Sequence, residues 1–85
     1  MDYSKLIHTI IDPFVEKPSS VLVKDISEEK EGNDICYLIC ASSEDIAKLI
    51  GRKGGIANSI RNIVSIAGKL ENKRVHLKFE SYEEK

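Results

Sequence analysis

The hydrophobic residues of the chain recur with two different periods, and their order predicts its elements. Apolar residues recur at helical spacing in three segments, residues 2–16, 43–50 and 55–69. They alternate or run continuously in three others, residues 21–26, 35–41 and 74–80. The order αββααβ predicts an α+β domain with a three-stranded mixed sheet, strand order 1-2-3, and three helices packed on one face. The first two strands form an antiparallel hairpin, and a right-handed helical crossover makes the third parallel to the second.

The first helix carries a wide apolar stripe that Pro13 interrupts. The stripe consists of Leu6, Ile7, Ile10, Ile11, Phe14 and Val15. Proline removes one backbone hydrogen bond, so the helix either bends there or restarts with Asp12 as the cap of a last turn.

In the second predicted strand, Ile35–Ala41, neither of the two alternating faces is polar. This pattern indicates a central strand with both faces at least partly covered, preceded by a polar turn at residues 27–34.

A four-residue joint, Gly51-Arg52-Lys53-Gly54, separates the second and third helices. Ser42 and Asp45 resemble a capping box at the start of the second helix, and Gly51 ends it. Glycine at both ends of the joint allows a tight reversal, because glycine accepts positive φ. The third helix is predicted to bury one stripe, Ile56, Ile60, Ile63, Val64 and Ala67, and Asn72 ends that segment.

Charge is distributed unevenly along the chain. The 85 residues include 13 basic and 14 acidic side chains, and a net charge of −1 by itself predicts no polyanion partner. Residues 46–70 contain no acid and carry +5, from Lys48, Arg52, Lys53, Arg61 and Lys69. Two cations at the joint, beside the N-terminus of the next helix, indicate an anion site, because the helix dipole and free N–H groups add to their charge. The alternative is a solvated helical hairpin with ordinary lysines.

Length and composition indicate a single soluble domain, residues 1–85, with an acidic, frayed tail at 81–85. Hydrophobic residues make up 41% and charged residues 32% of the chain, the balance of a globular protein. No apolar run approaches the ~20 residues that span a bilayer, and residues 1–5 lack a signal-peptide pattern. These features predict a cytoplasmic protein without membrane association.

No set of residues predicts catalysis, a metal site or a cofactor. Cys36 and Cys40 would lie on one strand face about 13 Å apart at ~3.3 Å per residue, too far for a disulfide, and further metal ligands are missing nearby. The two histidines stand alone in different elements. The loop is not a nucleotide-binding P-loop, because Lys53 precedes Gly54 and no Ser or Thr follows. We therefore predict a binding protein without a small-molecule substrate rather than an enzyme.

The joint and its surroundings carry the pattern of a known family. Residues 49–54, Leu-Ile-Gly-Arg-Lys-Gly, followed by Ile60-Arg61, resemble the I-G-x-x-G signature of KH domains. The order αββααβ is similar to the type II arrangement of that family. Pro18, Glu44-Asp45 and Lys73-Arg74-Val75 resemble its small stand-alone bacterial members (KhpA-like), and the likeness covers nearly the whole chain.

The resemblance implies binding of single-stranded RNA, whose backbone the loop would clamp while unstacked bases lie in an adjacent apolar groove. The contact residues that it implies are Lys48, Gly51, Arg52, Lys53, Gly54, Gly55, Asn58 and Arg61. Gly55 and Ile56 stand where such proteins often have a basic and a small polar residue, which predicts modest affinity. The resemblance also implies a post-transcriptional regulator or RNA chaperone. Its implied partner is a second RNA-binding protein, of the KH type or of the type named for an Arg-x-x-x-His motif.

The alternative function is a protein-interaction module with little RNA affinity. Cys36, Leu38 and Cys40 lie on the strand face that is predicted to point away from the helices. Exposed apolar patches mark sites for partners, so we expect a homodimer or a complex with a second RNA-binding protein to cover this face. Partial cover by neighbouring side chains is the other interpretation of the same pattern.

Overall fold

The computed structural model describes residues 3–28 and 32–82, and its elements follow the predicted order. The helices are α1 (Tyr3–Ile11), α2 (Ser43–Ile50) and α3 (Gly55–Lys69), and the strands are β1 (Leu22–Asp25), β2 (Asp34–Ala41) and β3 (Arg74–Ser81). Short 3₁₀ turns occupy Asp12–Phe14, Pro18–Ser20 and Arg52–Gly54. Within the described ranges, no helix has the length and apolar character needed to cross a bilayer.

The sheet has the predicted order β1-β2-β3, with β1 antiparallel and β3 parallel to the central strand β2. In the register of the three strands, Val23, Ile39 and Phe79 lie side by side on the face that carries the helices. The α+β class, the order αββααβ and the mixed sheet are therefore confirmed.

The strand ends differ from the predicted bounds by a residue. β1 is shorter than predicted, because Val21 N donates to Pro18 O at 3.1 Å within a 3₁₀ turn instead of joining the sheet. β3 is longer and ends at Ser81, after which Tyr82 N donates to Ala41 O at 3.2 Å. The rest of the predicted tail and part of the predicted turn, residues 83–85 and 29–31, lie outside the described residues.

The first helix is shorter than predicted and ends at Ile11. Pro13 has no N–H to continue the helix, and the chain tightens into a 3₁₀ turn in which Val15 N donates to Asp12 O at 3.3 Å. Asp12 does not cap this turn, and its Oδ1 lies 3.1 Å from His8 Nδ1 instead. The interruption at Pro13 is thus confirmed, whereas the role of Asp12 as a cap is wrong.

The core lies between the sheet and the helices. Its fully buried large side chains are Ile7, Ile11, Ile39, Leu49, Ile60 and Val64. On β2, the inner face with Tyr37 and Ala41 is buried, and the outer face with Cys36, Leu38 and Cys40 is half-buried. The prediction of a central strand with both faces partly covered is confirmed.

The buried stripe of α3 is rotated relative to the predicted one. Its buried residues are Ala57, Ile60, Val64 and Gly68. Gly68 comes so close to the start of β3 that a β-carbon there would lie 2.8 Å from Lys73 O. Because α3 packs its opposite flank toward β3, Ile63 keeps 47% of its surface exposed, and its assignment to the core is wrong.

A hydrogen bond between residues distant in the chain joins the start of α1 to the segment just after α3. The hydroxyl of Tyr3, at the start of α1, donates to the carboxylate of Glu71, just after α3. Tyr3 is buried, and burial together with this hydrogen bond raises the pKa of its hydroxyl to about 12. The ring of Tyr37 on β2 meets the Tyr3 ring edge-on at 6.4 Å. These contacts fix α1 against both α3 and the sheet.

Candidate functional site

The helix before the loop begins with its polar groups satisfied. Ser42 Oγ accepts a hydrogen bond from Asp45 N at 3.2 Å, which confirms the predicted cap. The carboxylate of Asp45 is buried and accepts from Glu16 N at 3.2 Å. Glu44 and Asp45 also place negative charge in the first turn of α2, where it offsets the positive end of the helix dipole.

Gly51 ends α2 in a conformation that is essentially restricted to glycine. Its φ is 72° and its ψ is −178°. A β-carbon at this position would lie 2.7 Å from Ile56 Cγ1, well inside van der Waals contact. The absence of a side chain therefore allows the first turn of α3 to pack directly against the end of α2.

The remaining loop residues form a tight turn that exposes both cations. Arg52 and Lys53 are exposed. Lys53 has φ 56° and ψ 27°, a left-handed conformation that costs roughly 1–2 kcal/mol for a residue with a β-carbon. Gly54 is also left-handed, with φ 75°, and has open space where a side chain would begin. Strained residues cluster at functional sites, which makes Lys53 a candidate contact residue.

The start of α3 contrasts with the start of α2. Its N-cap is Gly54, which makes no side-chain hydrogen bond, and its first turn contains no acid. Gly55 N donates to Arg52 O, but among the residues that the structure describes no side chain caps the N–H groups that follow it. The positive end of this 15-residue helix is therefore uncompensated and lies beside two exposed cations.

On the flank of α3 that faces β3, three side chains come together. The guanidinium carbon of Arg61 lies 5.3 Å from the centre of the Phe79 ring, in a cation–π contact. Arg61 Nη1 also donates to Asn58 Oδ1 at 3.4 Å. The structure thus unites two predicted site residues, Asn58 and Arg61, with Phe79. Sequence analysis missed Phe79, because strand alternation gives no sign of which helical residue lies above it.

Two more of the four predicted site cations, Lys48 and Arg52, lie in different surroundings. Lys48 Nζ is 2.9 Å from Glu16 Oε1, and this hydrogen bond raises the pKa of Lys48. Arg52 lies on the α1 side of α3, where it lines an open, largely apolar groove of about 460 Å³ with Ile10, Phe14 and Ser59. Lys48 therefore already has a partner within the chain, and Arg52 and Arg61 lie on opposite flanks of α3.

Several exposed large apolar side chains of the described ranges lie along α3 and in the turn that follows α1. We call this surface the α1–α3 face: Phe14, Ile63, Ile66 and Leu70, which are 44%, 47%, 61% and 80% exposed. Residues 63, 66 and 70 follow one side of α3 at helical spacing. The sequence analysis placed Ile63 in the core and therefore did not find this surface.

The outer face of the sheet is mixed, because an exposed leucine of β1 and two exposed lysines lie on it beside the residues of β2. Cys36, Leu38 and Cys40 are half-buried, and both cysteines are free. In the register of the sheet, Leu38 lies between Lys24 on β1 and Lys78 on β3. Across residues 3–28 and 32–82, no cluster of His, Cys, Asp or Glu side chains is suited to hold a metal ion.

The chain is similar to known proteins over most of its length. A family model described as "KhpA/KhpB, KH domain" matches residues 4–79. A curated relative from Listeria monocytogenes, named RNA-binding protein KhpA, is 33% identical over 73 residues, which cover 86% of this chain and 92% of the relative. Proteins of the same name from Clostridium perfringens and Lactiplantibacillus plantarum are 37% identical over 71 residues and 34% identical over 84. These stretches cover 84% and 99% of this chain, and 91% and 95% of the relatives.

Proposed function

We propose that this chain, which belongs to the KhpA/KhpB family of KH domains, binds single-stranded RNA through the loop Gly51–Gly54. The curated relatives are named RNA-binding proteins, and the similarity spans the loop and the helices on both sides of it. We infer that the activity is binding rather than catalysis, that it needs no metal or cofactor, and that the single domain of residues 1–85 acts in the cytoplasm.

The observation that carries the proposal is the electrostatics at the start of α3. An uncapped helix N-terminus without acids lies next to Arg52 and to Lys53, which is held in a strained, exposed conformation. In the same chain, α2 starts with a serine cap and two acids. The contrast indicates that the start of α3 is kept free for an external anion, and the RNA backbone supplies a row of them.

The proposed roles follow from the positions of the residues. Gly54 and Gly55 have open space where a side chain would begin and allow the nucleic-acid backbone to approach closely. Gly51 makes the turn that presents the loop, and Arg52 and Lys53 contact phosphates. Asn58 and Arg61 extend the site along the flank of α3 that faces β3. Lys48 would join only by leaving Glu16. A domain that grips a short stretch of backbone by such contacts suits an RNA chaperone or post-transcriptional regulator.

Direct RNA binding with a shallow salt dependence is the expected result for the purified protein. Each phosphate neutralised on a single strand contributes about −0.7 to the slope of log affinity against log salt concentration. Two to four contacts at the loop therefore predict a slope of roughly −1.5 to −3. Fluorescence anisotropy with a pool of labelled single-stranded RNAs, repeated over a range of salt concentrations, measures it. Absence of RNA binding at low salt would refute the proposed function.

We further propose that a second copy of the chain packs on the α1–α3 face. This face holds four exposed apolar side chains, Phe14, Ile63, Ile66 and Leu70, whereas on the outer sheet face the central strand is half-buried and flanked by lysines, and the exposed leucine lies on the edge strand β1. It lies on the opposite flank of α3 from Arg61, so self-association leaves that part of the RNA site open. Two linked sites raise the apparent affinity for one strand through effective concentration. A second RNA-binding protein, of the KH type or with an Arg-x-x-x-His motif, is the alternative partner for the same face.

Replacing Ile66 by Glu is expected to shift the protein toward a monomer without unfolding it. Ile66 is 61% exposed, and surface substitutions usually change stability by less than about 0.5 kcal/mol, whereas a charge in an apolar interface is costly. Sedimentation at several protein concentrations measures the shift. The matched control is Leu22→Glu on the outer sheet face, where the side chain is 48% exposed. If Leu22→Glu dissociates the protein and Ile66→Glu does not, the sheet is the interface, and a strictly monomeric wild-type protein contradicts self-association altogether.

A further inference from the structure

We propose that Arg61 and Phe79 form a stacking platform that holds one unstacked base of the bound RNA, preferably a purine. This inference rests on the proposed RNA-binding function and adds to it a base-contacting residue on β3. The loop contacts would hold the backbone, and the platform would hold a base beside it.

The geometry of the pair is that of a cation–π contact. The guanidinium carbon of Arg61 lies over the Phe79 ring, 5.3 Å from its centre. Phe79 is half-buried and packs against the core, so the ring is held in place from below. Arg61 remains exposed, and its Nη1 donates to Asn58 Oδ1 at 3.4 Å, which limits the freedom of the guanidinium group. A planar cation is thus fixed on an aromatic ring while solvent still reaches it.

The Arg61–Phe79 pair lies where it would contact a base rather than one of the phosphates held by the loop. Arg61 lies seven residues after Gly54, roughly 10 Å along α3 at ~1.5 Å per residue. Phe79 lies near the C-terminal end of β3, so the pair lies where α3 and the edge strand of the sheet meet. A strand whose backbone crosses the loop would bring a neighbouring base to this junction.

The chemistry of the pair favours stacking over hydrogen-bonded readout. Unpaired bases stack on aromatic rings and on guanidinium planes, and preferences in such sites come from stacking strength. A guanidinium group next to an aromatic ring offers both kinds of stacking surface at one place. Because purines present the larger π-face, the platform favours adenine over uracil.

The test compares variants that remove the stacking surface while keeping the charge. Phe79→Leu keeps an apolar side chain on the core, and Arg61→Lys keeps the positive charge but loses the planar group. The probes are oligoadenylate, oligouridylate, and oligoadenylate with single 2-aminopurine substitutions, whose fluorescence falls when the base stacks. The matched aromatic control is Tyr82→Leu, since Tyr82 is 51% exposed but lies with Ser42 and Glu44 near the start of α2.

Both variants are expected to weaken oligoadenylate binding by roughly 5- to 150-fold, the range for loss of one stacked base, with an unchanged salt slope. Oligouridylate binding should fall less, 2-aminopurine should stay brighter than with the wild type, and Tyr82→Leu should behave like the wild type. Wild-type affinity of Arg61→Lys for oligoadenylate would overturn the platform, because a phosphate contact survives that change. Arg61 is exposed, so this variant carries the test even if Phe79→Leu does not fold.

A failed platform and a failed function give different results. If the platform is wrong but the loop binds RNA, both variants bind normally while reversal of the loop charge abolishes binding. If the wild-type protein binds the RNA pool but neither oligonucleotide, the platform is overturned and the proposed function stands. If it binds neither the oligonucleotides nor the pool at low salt, the proposed function fails and the platform fails with it.

Discussion

Reversing the charge of the loop by changing Arg52 and Lys53 together to Asp is expected to abolish RNA binding while the protein stays folded. Both side chains are exposed and neither belongs to the core, so stability should change by less than about 0.5 kcal/mol per site. Two cations become two anions beside the uncapped start of α3, and phosphates that were attracted there are repelled. The double variant should lose most of the salt dependence along with the affinity.

The control for this variant is the same charge change elsewhere on the surface. Lys24 and Lys78 are exposed and lie on either side of Leu38 on the outer sheet face. Changing both to Asp alters the net charge by the same amount, but RNA affinity should change far less, because these lysines lie on the sheet face opposite the helices and salt screens exposed charges over about 10 Å.

Circular dichroism and thermal unfolding establish that both double variants are folded, and anisotropy with the RNA pool compares their affinities. Equal losses in the two variants would mean that overall charge, rather than the loop, controls binding. Undiminished affinity of the folded loop variant would mean that the loop only connects two helices. The interaction-module interpretation would then become the leading one.

The parts of the fold that the sequence predicted well are those with local physical causes. α3 begins at Gly55 and ends at Lys69 as predicted, because glycines with positive φ precede it and Asn72, with φ 58°, follows it. The last strand was predicted from the alternation of apolar residues over 74–80, which is likewise a property of a short local segment. The exposed cationic loop was also predictable, since it depends only on two glycines and the residues between them.

The parts that the sequence did not predict depend on residues distant in the chain. The hydrogen-bond partners Tyr3 and Glu71 are 68 positions apart, and no periodicity connects them. The helical repeat placed Ile63 in a stripe, but only the packing of the neighbouring elements decides which part of a stripe is covered. Pro13 signalled an interruption in α1 without saying how the chain would continue.

The residues of the candidate site divide in the same way, into those predictable from local sequence and those that depend on tertiary packing. Sequence identified Lys48 as a cation near the loop, but its partner Glu16 comes from the segment after α1 and could not be foreseen. Arg61 was predicted to reach the bound strand, yet its position over Phe79 depends on how α3 crosses the edge of the sheet. Local sequence therefore defines the loop, while tertiary packing defines which cations remain available around it.

The two glycines of the loop should respond very differently to replacement by Ala. At Gly51, the backbone lies in a region essentially closed to other residues, at a cost of order 1–3 kcal/mol, and the new β-carbon would overlap Ile56. Overpacking adds about 1–3 kcal/mol, so Gly51→Ala should lose roughly 2–6 kcal/mol of the free energy of unfolding. At Gly54, φ is 75° but the surrounding space is open, and Gly54→Ala should cost about 1–2 kcal/mol.

Urea unfolding of both variants measures this difference, and the double variant Gly51→Ala/Ile56→Ala identifies its cause. Ile56 is β-branched and stiff, with Cβ 2.9 Å from the added carbon, so it cannot turn aside. Shortening it removes the contacts of Cγ1 and Cδ1 but leaves Cβ and the backbone strain, and the two changes should therefore cost less together than the sum of their separate costs, by about 0.5–3 kcal/mol. Strict additivity would mean that the outer carbons of Ile56 add nothing to the cost of Gly51→Ala. Equal costs at Gly51 and Gly54 would contradict the close packing of α2 on α3 that holds the cationic loop in its exposed position.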